Sequence, residues 1–166
     1  MLRAPERLTS EHDPGSFDSG IPSLDDWLRR RALANQVSGA SRTFVLCDDD
    51  RIAGYYALAA SSVAPDAAPG RFRRNMPDPI PVAVLGRLAI ARSHQGQGLG
   101  RALFRDAARR VMGAADSLGI RGLLVHAISE EAKAFYLALG LDVSPLEPMT
   151  LMATLADLRA AGSALL

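Results

Sequence analysis

Cysteine, lysine and histidine are nearly missing from this chain, and each scarcity removes a class of function. The single cysteine, Cys47, can close no internal disulfide, which fits a reducing compartment and a role as a small apolar filler on a strand. Three histidines, one cysteine and no ligand-spaced cluster give a metal centre almost no support. No apolar run approaches the ~20 residues of a membrane span, and the N-terminus is charged where a secretory signal would be apolar. The chain is therefore read as cytoplasmic, full length, and without metal or membrane. One residue, Lys133, is the only lysine, so 18 of the 19 basic residues are arginine. No acidic residue occurs between Val82 and Ser93.

What is present describes an ordinary globular chain. At 166 residues, 48% hydrophobic and 22% charged, it is expected to form a single domain over residues 1–166. Net charge is only +1, but the arginines are bunched at Arg29–Arg31, at Arg71, Arg73 and Arg74, and at Arg101, Arg105, Arg109 and Arg110. A planar guanidinium suits phosphate, although a GC-rich genome also favours arginine over lysine, and solvated surface explains any one bunch. The stretch Arg71-Phe72-Arg73-Arg74-Asn75, proline-flanked and with an aromatic among the charges, is an RNA-contacting candidate.

The patterning alternates helices and strands. Ser23 is expected to cap a helix with Leu24, Trp27, Leu28 and Leu33 on its apolar face, ending near Gln36 to Gly39. Phe44 to Cys47 and Ile52 to Ala59 read as a hairpin turning at Asp48–Asp50. Residues 64–81, rich in proline, alanine and glycine, read as a long irregular loop. Val82 to Ile90 reads as a buried strand. A helix is predicted over Leu99 to Leu118, with Leu103, Ala107, Val111, Ala114 and Leu118 on one side and Gly119 after it. Leu123 to Ala127 is a strand, Ser129 caps a helix through Leu139, Gly140 ends it, and Thr150 to Leu155 is a last strand. Residues 156–166 read as a helix or a frayed tail.

Gln95-Gly96-Gln97-Gly98-Leu99-Gly100-Arg101 follows directly on the central apolar strand. Glycines at alternate positions let consecutive N–H groups converge on one anion, and a helix start adds its positive dipole end. No Gly-Lys-Ser/Thr follows, which argues against a Walker A loop, and Leu118 to Ile120 stand where a dinucleotide site wants an acid. Gln95-x-x-Gly98-x-Gly100 resembles the acetyl-CoA diphosphate loop of GNAT N-acetyltransferases. Further segments resemble the GNAT toxins of type II toxin–antitoxin systems: Ser16-Phe17-Asp18-Ser19-Gly20, Leu24-Asp25-Asp26-Trp27-Leu28, Gly54-Tyr55-Tyr56-Ala57-Leu58, Leu85-Gly86-Arg87-Leu88-Ala89, His126-Ala127-Ile128-Ser129 and Ala134-Phe135-Tyr136.

The resemblance implies an α/β GNAT fold, with a mixed central sheet, flanking helices and a V-shaped splay between two central strands. It implies acetyl-CoA as cofactor, its pantetheine against Leu88, Ala89 and Ile90, and its diphosphate on Gln95, Gly96, Gln97, Gly98, Leu99, Gly100 and Arg101. Ser129, Ala132 and Phe135 would complete the cofactor contacts. It also implies Tyr136 as the acid that protonates the leaving thiolate. A phenol of pKa near 10 is protonated at neutral pH and can donate to a sulfur of pKa about 8.5.

The acceptor follows from an absence. A lysine ammonium of pKa about 10.4 is neutral in only ~0.04% of molecules at pH 7, an α-amine of pKa about 7.7–8.0 in roughly 10–20%. A central strand without a carboxylate base therefore suits an α-amine, and the resemblance implies that of aminoacyl-tRNA, with blocked translation as the result. Arg73, Arg74 and Lys133 are the expected contacts to the tRNA backbone. A ribbon-helix-helix antitoxin and a homodimer are implied as partners. Two alternatives stay open: a GNAT enzyme for a peptide N-terminus or a small-molecule amine, and a non-catalytic acetyl-CoA-binding regulatory module. His94 is expected either at a cofactor phosphate or in an exposed loop, His126 as a hydrogen-bonded structural residue, and Arg87 beside a carboxylate, with substrate contact open.

Overall fold

Seven strands hydrogen-bond in the order β1-β2-β3-β4-β5-β7-β6. They are β1 (Glu6–Arg7), β2 (Arg42–Asp48), β3 (Arg51–Val63), β4 (Ile80–Ile90), β5 (Gly122–His126), β6 (Asp142–Val143) and β7 (Thr150–Thr154). The helices are α1 (Pro22–Arg30), α2 (Ala32–Ser38), α3 (Gly70–Arg73), α4 (Leu99–Ala114), α5 (Glu130–Ala138) and α6 (Leu155–Ala164). The computed structural model describes residues 1–164. The expected last segment is a helix as far as it is described, and residues 165–166 lie outside the described part. Pairs β1–β2, β2–β3, β5–β7 and β6–β7 are antiparallel and β4–β5 is parallel, so the sheet is mixed. Residue contacts gather into two units, one of residues 1–59 and 86–107, the other of residues 60–85 and the chain from 108 on.

In the first unit, α1 starts at a proline rather than at a serine. Pro22 occupies the first helical position, where its missing N–H costs nothing and its fixed φ is already helical. Ile21 precedes it as an extended cap residue, so Ser23 lies inside the first turn and is not the expected cap. Asp25 is drawn from the helix to the incoming chain instead: its carboxylate accepts from the Ser19 N–H at 3.0 Å and from the Ser19 hydroxyl at 2.6 Å. The helix breaks at Arg31 (φ −122°, ψ −33°), resumes as α2 and stops at Gly39 in the left-handed conformation. Past this break the face has turned, and Leu33, expected on the apolar side, is 40% exposed. Leu24 and Leu28 pack with Phe17, Val45, Ile52, Tyr55, Ala89 and Ala91 in one core. The Tyr55 hydroxyl donates to the Leu24 carbonyl at 2.6 Å, locking α1 to β3.

In the second unit, the stretch expected as an irregular loop is ordered. Its 3₁₀ turn Pro65–Ala67 and short α3 bury Ala68 and Phe72 against Ile80, Val82, Leu124 and Met152. Arg121 holds it in place: Nε donates to the Phe72 carbonyl and Nη2 to the Arg71 carbonyl, each at 2.8 Å. Helix α4 ends at Ala114, four residues short of the expected Leu118. The Asp116 and Ser117 N–H groups reach back only three residues, to Gly113 and Ala114. That tighter turn rotates Leu118 off the apolar face, leaving it 57% exposed.

Candidate active site

The parallel ladder of β4 with β5 covers Ala83 to Leu85 against Leu123 to Val125. Strand β4 runs on to Ile90, so its Gly86–Ile90 stretch lies past the end of that ladder. A strand edge not engaged in pairing offers amides and carbonyls to an extended ligand. Leu88, Ala89 and Ile90, the expected pantetheine edge, lie in this stretch.

The chain leaves β4 through a 3₁₀ turn, Arg92–His94, and enters the glycine segment. Gly96 and Gly98 have φ of +79° and +78°, in the region that only glycine enters cheaply. An added Cβ at either would meet no atom within 4 Å, so the space over this turn is open. Leu99, Gly100 and Arg101 then form the first turn of α4, where N–H groups have no intrahelical acceptor. Open space, left-handed glycines and a helix N-terminus are together the features of a backbone anion cradle.

Gln95 acts inside the protein. Its side-chain amide donates at 2.9 Å to both the Ser19 and the Ile90 carbonyls, so both of its hydrogens are used on backbone. The turn is fastened to the end of β4 on one side and to the approach to α1 on the other. Arg92 adds to that join, its N–H reaching the Asp18 carbonyl at 2.8 Å and its Nε the Asp18 carboxylate at 3.2 Å. His94 is half-buried and paired rather than an exposed loop residue: Nε2 meets the Asp48 carboxylate at 2.8 Å and Nδ1 the Ser93 hydroxyl at 2.8 Å. Gly54 is a position that spacing did not single out. A Cβ there would lie 2.8 Å from Ile90 Cδ1 and 3.1 Å from the Ala89 carbonyl, so its missing side chain lets β4 settle on β3.

In the second unit, Ser129 caps α5 as expected, its hydroxyl accepting from the Ala132 N–H at 3.0 Å. Glu130 and Glu131 stand in the first turn, where carboxylates offset the helix dipole. The same turn places Ala132 and Phe135 on the helix, with the Phe135 ring edge-on to Tyr136 at 5.1 Å. Tyr136 is 7% exposed, and burial pushes its phenol up to about 12. A phenol so placed stays protonated across the physiological range. His126 is hydrogen-bonded as expected, Nδ1 to the Thr150 hydroxyl at 3.0 Å. It lines a cavity of about 410 Å³ with Ser61, Val84, Leu124 and Glu147.

The basic residues divide. Arg71, Arg74, Arg121 and Arg159 line a cavity of about 810 Å³ whose one acidic lining residue is Asp157, the ion-pair partner of Arg71. Arg73 is exposed and outside that lining. Lys133 is half-buried on α5. Among the described residues Arg87 makes no ion pair with a carboxylate: its guanidinium lies 4.5 Å from the centre of the Trp27 ring. Among the described residues, Glu6, His12 and Cys47 bring ligand-type atoms within 4.8 Å of one another. The Thr9 N–H donates to His12 Nδ1 at 3.0 Å, so Nε2 carries the proton given to Glu6 and has no lone pair to offer a metal. Burial pushes the Cys47 thiol up, further from a thiolate ligand.

Known proteins share this arrangement. The acetyltransferase (GNAT) domain family matches residues 39–140. The tRNA-acetylating toxin of Mycobacterium tuberculosis is 56% identical over 95% of this chain and 95% of its own length. The solved structure of AtaT complexed with acetyl-methionyl-tRNAfMet superposes with a TM-score of 0.88 at 31% identity, covering 96% of this chain and 98% of that one. An AtaT variant bound to the C-terminus of the antitoxin AtaR and to acetyl-CoA gives 0.83 at 30% identity, over 98% and 99% of the two chains. With its mixed sheet, its β4–glycine turn–α4 unit and these relatives, the chain belongs to the GNAT acetyltransferase family.

Proposed function

We propose that the chain transfers an acetyl group from acetyl-CoA to the α-amine of the amino acid carried by aminoacyl-tRNA, and so acts in the cytoplasm as the toxin of a toxin–antitoxin pair. The observation that carries this reading is the likeness to the tRNA-acetylating toxin along 95% of the chain. Both units serve one acetyltransferase domain, since β3 and β4 each contribute residues to both. A ribbon-helix-helix antitoxin and a second copy of the chain are the proposed protein partners.

Each residue has a physical task. Acetyl-CoA supplies a thioester, whose C–S bond breaks as the C–N bond to the amine forms. The amides of Gly96 to Arg101 hold the diphosphate, and the Leu88–Ile90 edge of β4 pairs with the pantetheine amides. Gln95 holds that turn through the Ser19 and Ile90 carbonyls. Ser129, which caps α5, Ala132 and Phe135 complete the cofactor contacts, and the Tyr136 phenol would give the sulfur its proton as the bond opens. Such a positioned transfer contributes typically 10²- to 10⁴-fold. No carboxylate on β4 takes a proton from the acceptor, which an α-amine of pKa about 7.7–8.0 loses readily to water.

The tRNA backbone runs over the cavity of Arg71, Arg74, Arg121 and Arg159, with Arg73 and Lys133 as outer contacts. Of the cavity's guanidiniums, those of Arg71 and Arg121 are occupied by Asp157 and by backbone carbonyls. Arg74 is the one the sequence already marked. Replacing Arg74 with glutamate should raise the KM for charged tRNA about tenfold at low salt and flatten its dependence on ionic strength, while the KM for acetyl-CoA stays put. An unchanged salt slope would place the backbone elsewhere. The function itself is tested by transfer of labelled acetyl from acetyl-CoA to a mixture of charged tRNAs.

A further inference from the structure

Arg87 is a half-buried arginine to which the chemistry above gives no task. Charged side chains at such positions are normally paired, yet among the described residues Arg87 makes no ion pair and its recorded partner is the face of Trp27, at 4.5 Å. Trp27 is itself stacked on Tyr55, the rings 6.0 Å apart and inclined by 9°. Tyr55 is fixed by its hydrogen bond to Leu24. The guanidinium is thus placed over a rigid aromatic pile.

The two carboxylates that precede Trp27 on α1 are engaged elsewhere. Asp25 is taken up by the Ser19 N–H and hydroxyl, and Asp26 by Arg29 at 3.1 Å. The pile is also in fixed register with the cofactor turn. Ser19, which Asp25 ties to α1, accepts from Gln95, and Gln95 donates as well to Ile90, three residues along β4 from Arg87. Arg87 lies in the stretch of β4 past the ladder with β5.

Resting on the charged-tRNA reading, we propose that Arg87 is an acceptor-specificity residue whose guanidinium, oriented by Trp27, binds a phosphate group of the acceptor's terminal nucleotide. The planar fork matches phosphate oxygens bidentately and stacks on an aromatic face, a combination that lysine cannot supply. A free amine or a peptide N-terminus brings no phosphate and leaves this contact unmade. A phosphate of the cofactor has the same chemistry, and the test separates the two sources.

The test compares wild type with Arg87→Gln on charged tRNA and on the matching 3′-aminoacyl adenosine, which keeps the ester and amine but has no phosphate. The kcat/KM for charged tRNA should fall at least about tenfold more than that for the adenosine ester, chiefly through KM, with little change in the KM for acetyl-CoA. Arg87→Lys, which keeps the charge without the fork, should fall between the two, and it carries the comparison if the glutamine variant does not fold. Equal losses on the two acceptors, or no loss on charged tRNA, would overturn the proposal. A rise confined to the KM for acetyl-CoA would assign the phosphate to the cofactor and overturn it too. Failure of the wild type to acetylate either acceptor is a different result: it removes the charged-tRNA reading, and the Arg87 contact with it.

Discussion

Tyr136→Phe should lower kcat by 10²- to 10⁴-fold while leaving the KM for acetyl-CoA nearly unchanged, because the substitution removes a proton donor and leaves the ring in place. The ring is what the fold uses: Tyr136 is buried on α5 and meets Phe135 edge-on. Loss of one buried hydroxyl costs about 1–2 kcal/mol, so the variant should remain folded. Stopped-turnover assays of CoA release, read beside a thermal melt, separate the two effects. Retention of kcat within about threefold would show that the sulfur is protonated by something else.

The phenol also fixes the shape of the pH profile. Burial moves its pKa from 10.0 up to about 12. The wild-type rate should therefore climb through the α-amine pKa of about 7.7–8.0 and stay level well above pH 9, with no alkaline descent from Tyr136 until pH nears 12. Stability moves the other way. Above pH 10 the unfolded chain releases this proton first, so the native state binds more protons and loses stability as the pH rises toward 12. A descending limb below pH 9, with the fold intact, would contradict the phenol as donor.

Gly122→Ala should be among the most damaging single-methyl changes in the chain. A Cβ at this position would stand 2.0 Å from the Ala153 carbonyl oxygen and 2.9 Å from the Thr154 Cα, and backbone atoms cannot swing aside as a side chain can. Gly122 pairs with Thr154 in the β5–β7 ladder, so relief requires those strands to part at the start of β5. The core formed by Leu124 and Met152 follows directly. A cost of roughly 4 kcal/mol is expected, which lowers Tm by about 8–16 °C in a chain of this size. Gly119→Ala is the control: its Cβ would meet nothing within 4 Å and its φ is not positive. It should leave Tm within about 2 °C. Equal melting temperatures for the two variants would mean that β5 and β7 approach less closely than described.

Much of this architecture could be read from one-dimensional pattern. The apolar spacing of α4 from Leu103 to Val111, the capping serine of α5 and the three glycines after β4 are local signals, each decided within a few residues, and each lies where expected; Ala114, at the end of the helix, is exposed. The errors fall where a distant partner decides. Ser23 is a better cap by composition than Ile21, but Pro22 fixes the first turn, and Asp25 is claimed by Ser19. Residues 64–81 have loop composition, and are ordered because Phe72 and Ile80 find a core and Arg121 binds two of their carbonyls. Leu118 continues the helical spacing, yet Gly113 and the turn after it end the helix first.

The candidate site shows the same division. Gly96 and Gly98 were legible because their conformation demands glycine. Gln95 was legible as part of a motif, whereas its task, joining the turn to Ser19 and Ile90, depends on a residue 76 positions away. Gly54 was legible only within a family motif, since what forbids a side chain there is Ile90 and the Ala89 carbonyl on another strand. Arg87 misled for a physical reason: a half-buried arginine is expected beside an acid, and here it lies over the face of an aromatic ring instead.

Acetyl transfer to the α-amine of an esterified amino acid is the reaction proposed for this chain. Incubation of the purified protein with labelled acetyl-CoA and the full set of charged tRNAs, followed by mild alkaline release of the amino acids, tests that directly. Label should leave the tRNA as N-acetyl amino acid and be lost with Tyr136→Phe. Label on lysine side chains or on free small amines, with charged tRNA untouched, would contradict it.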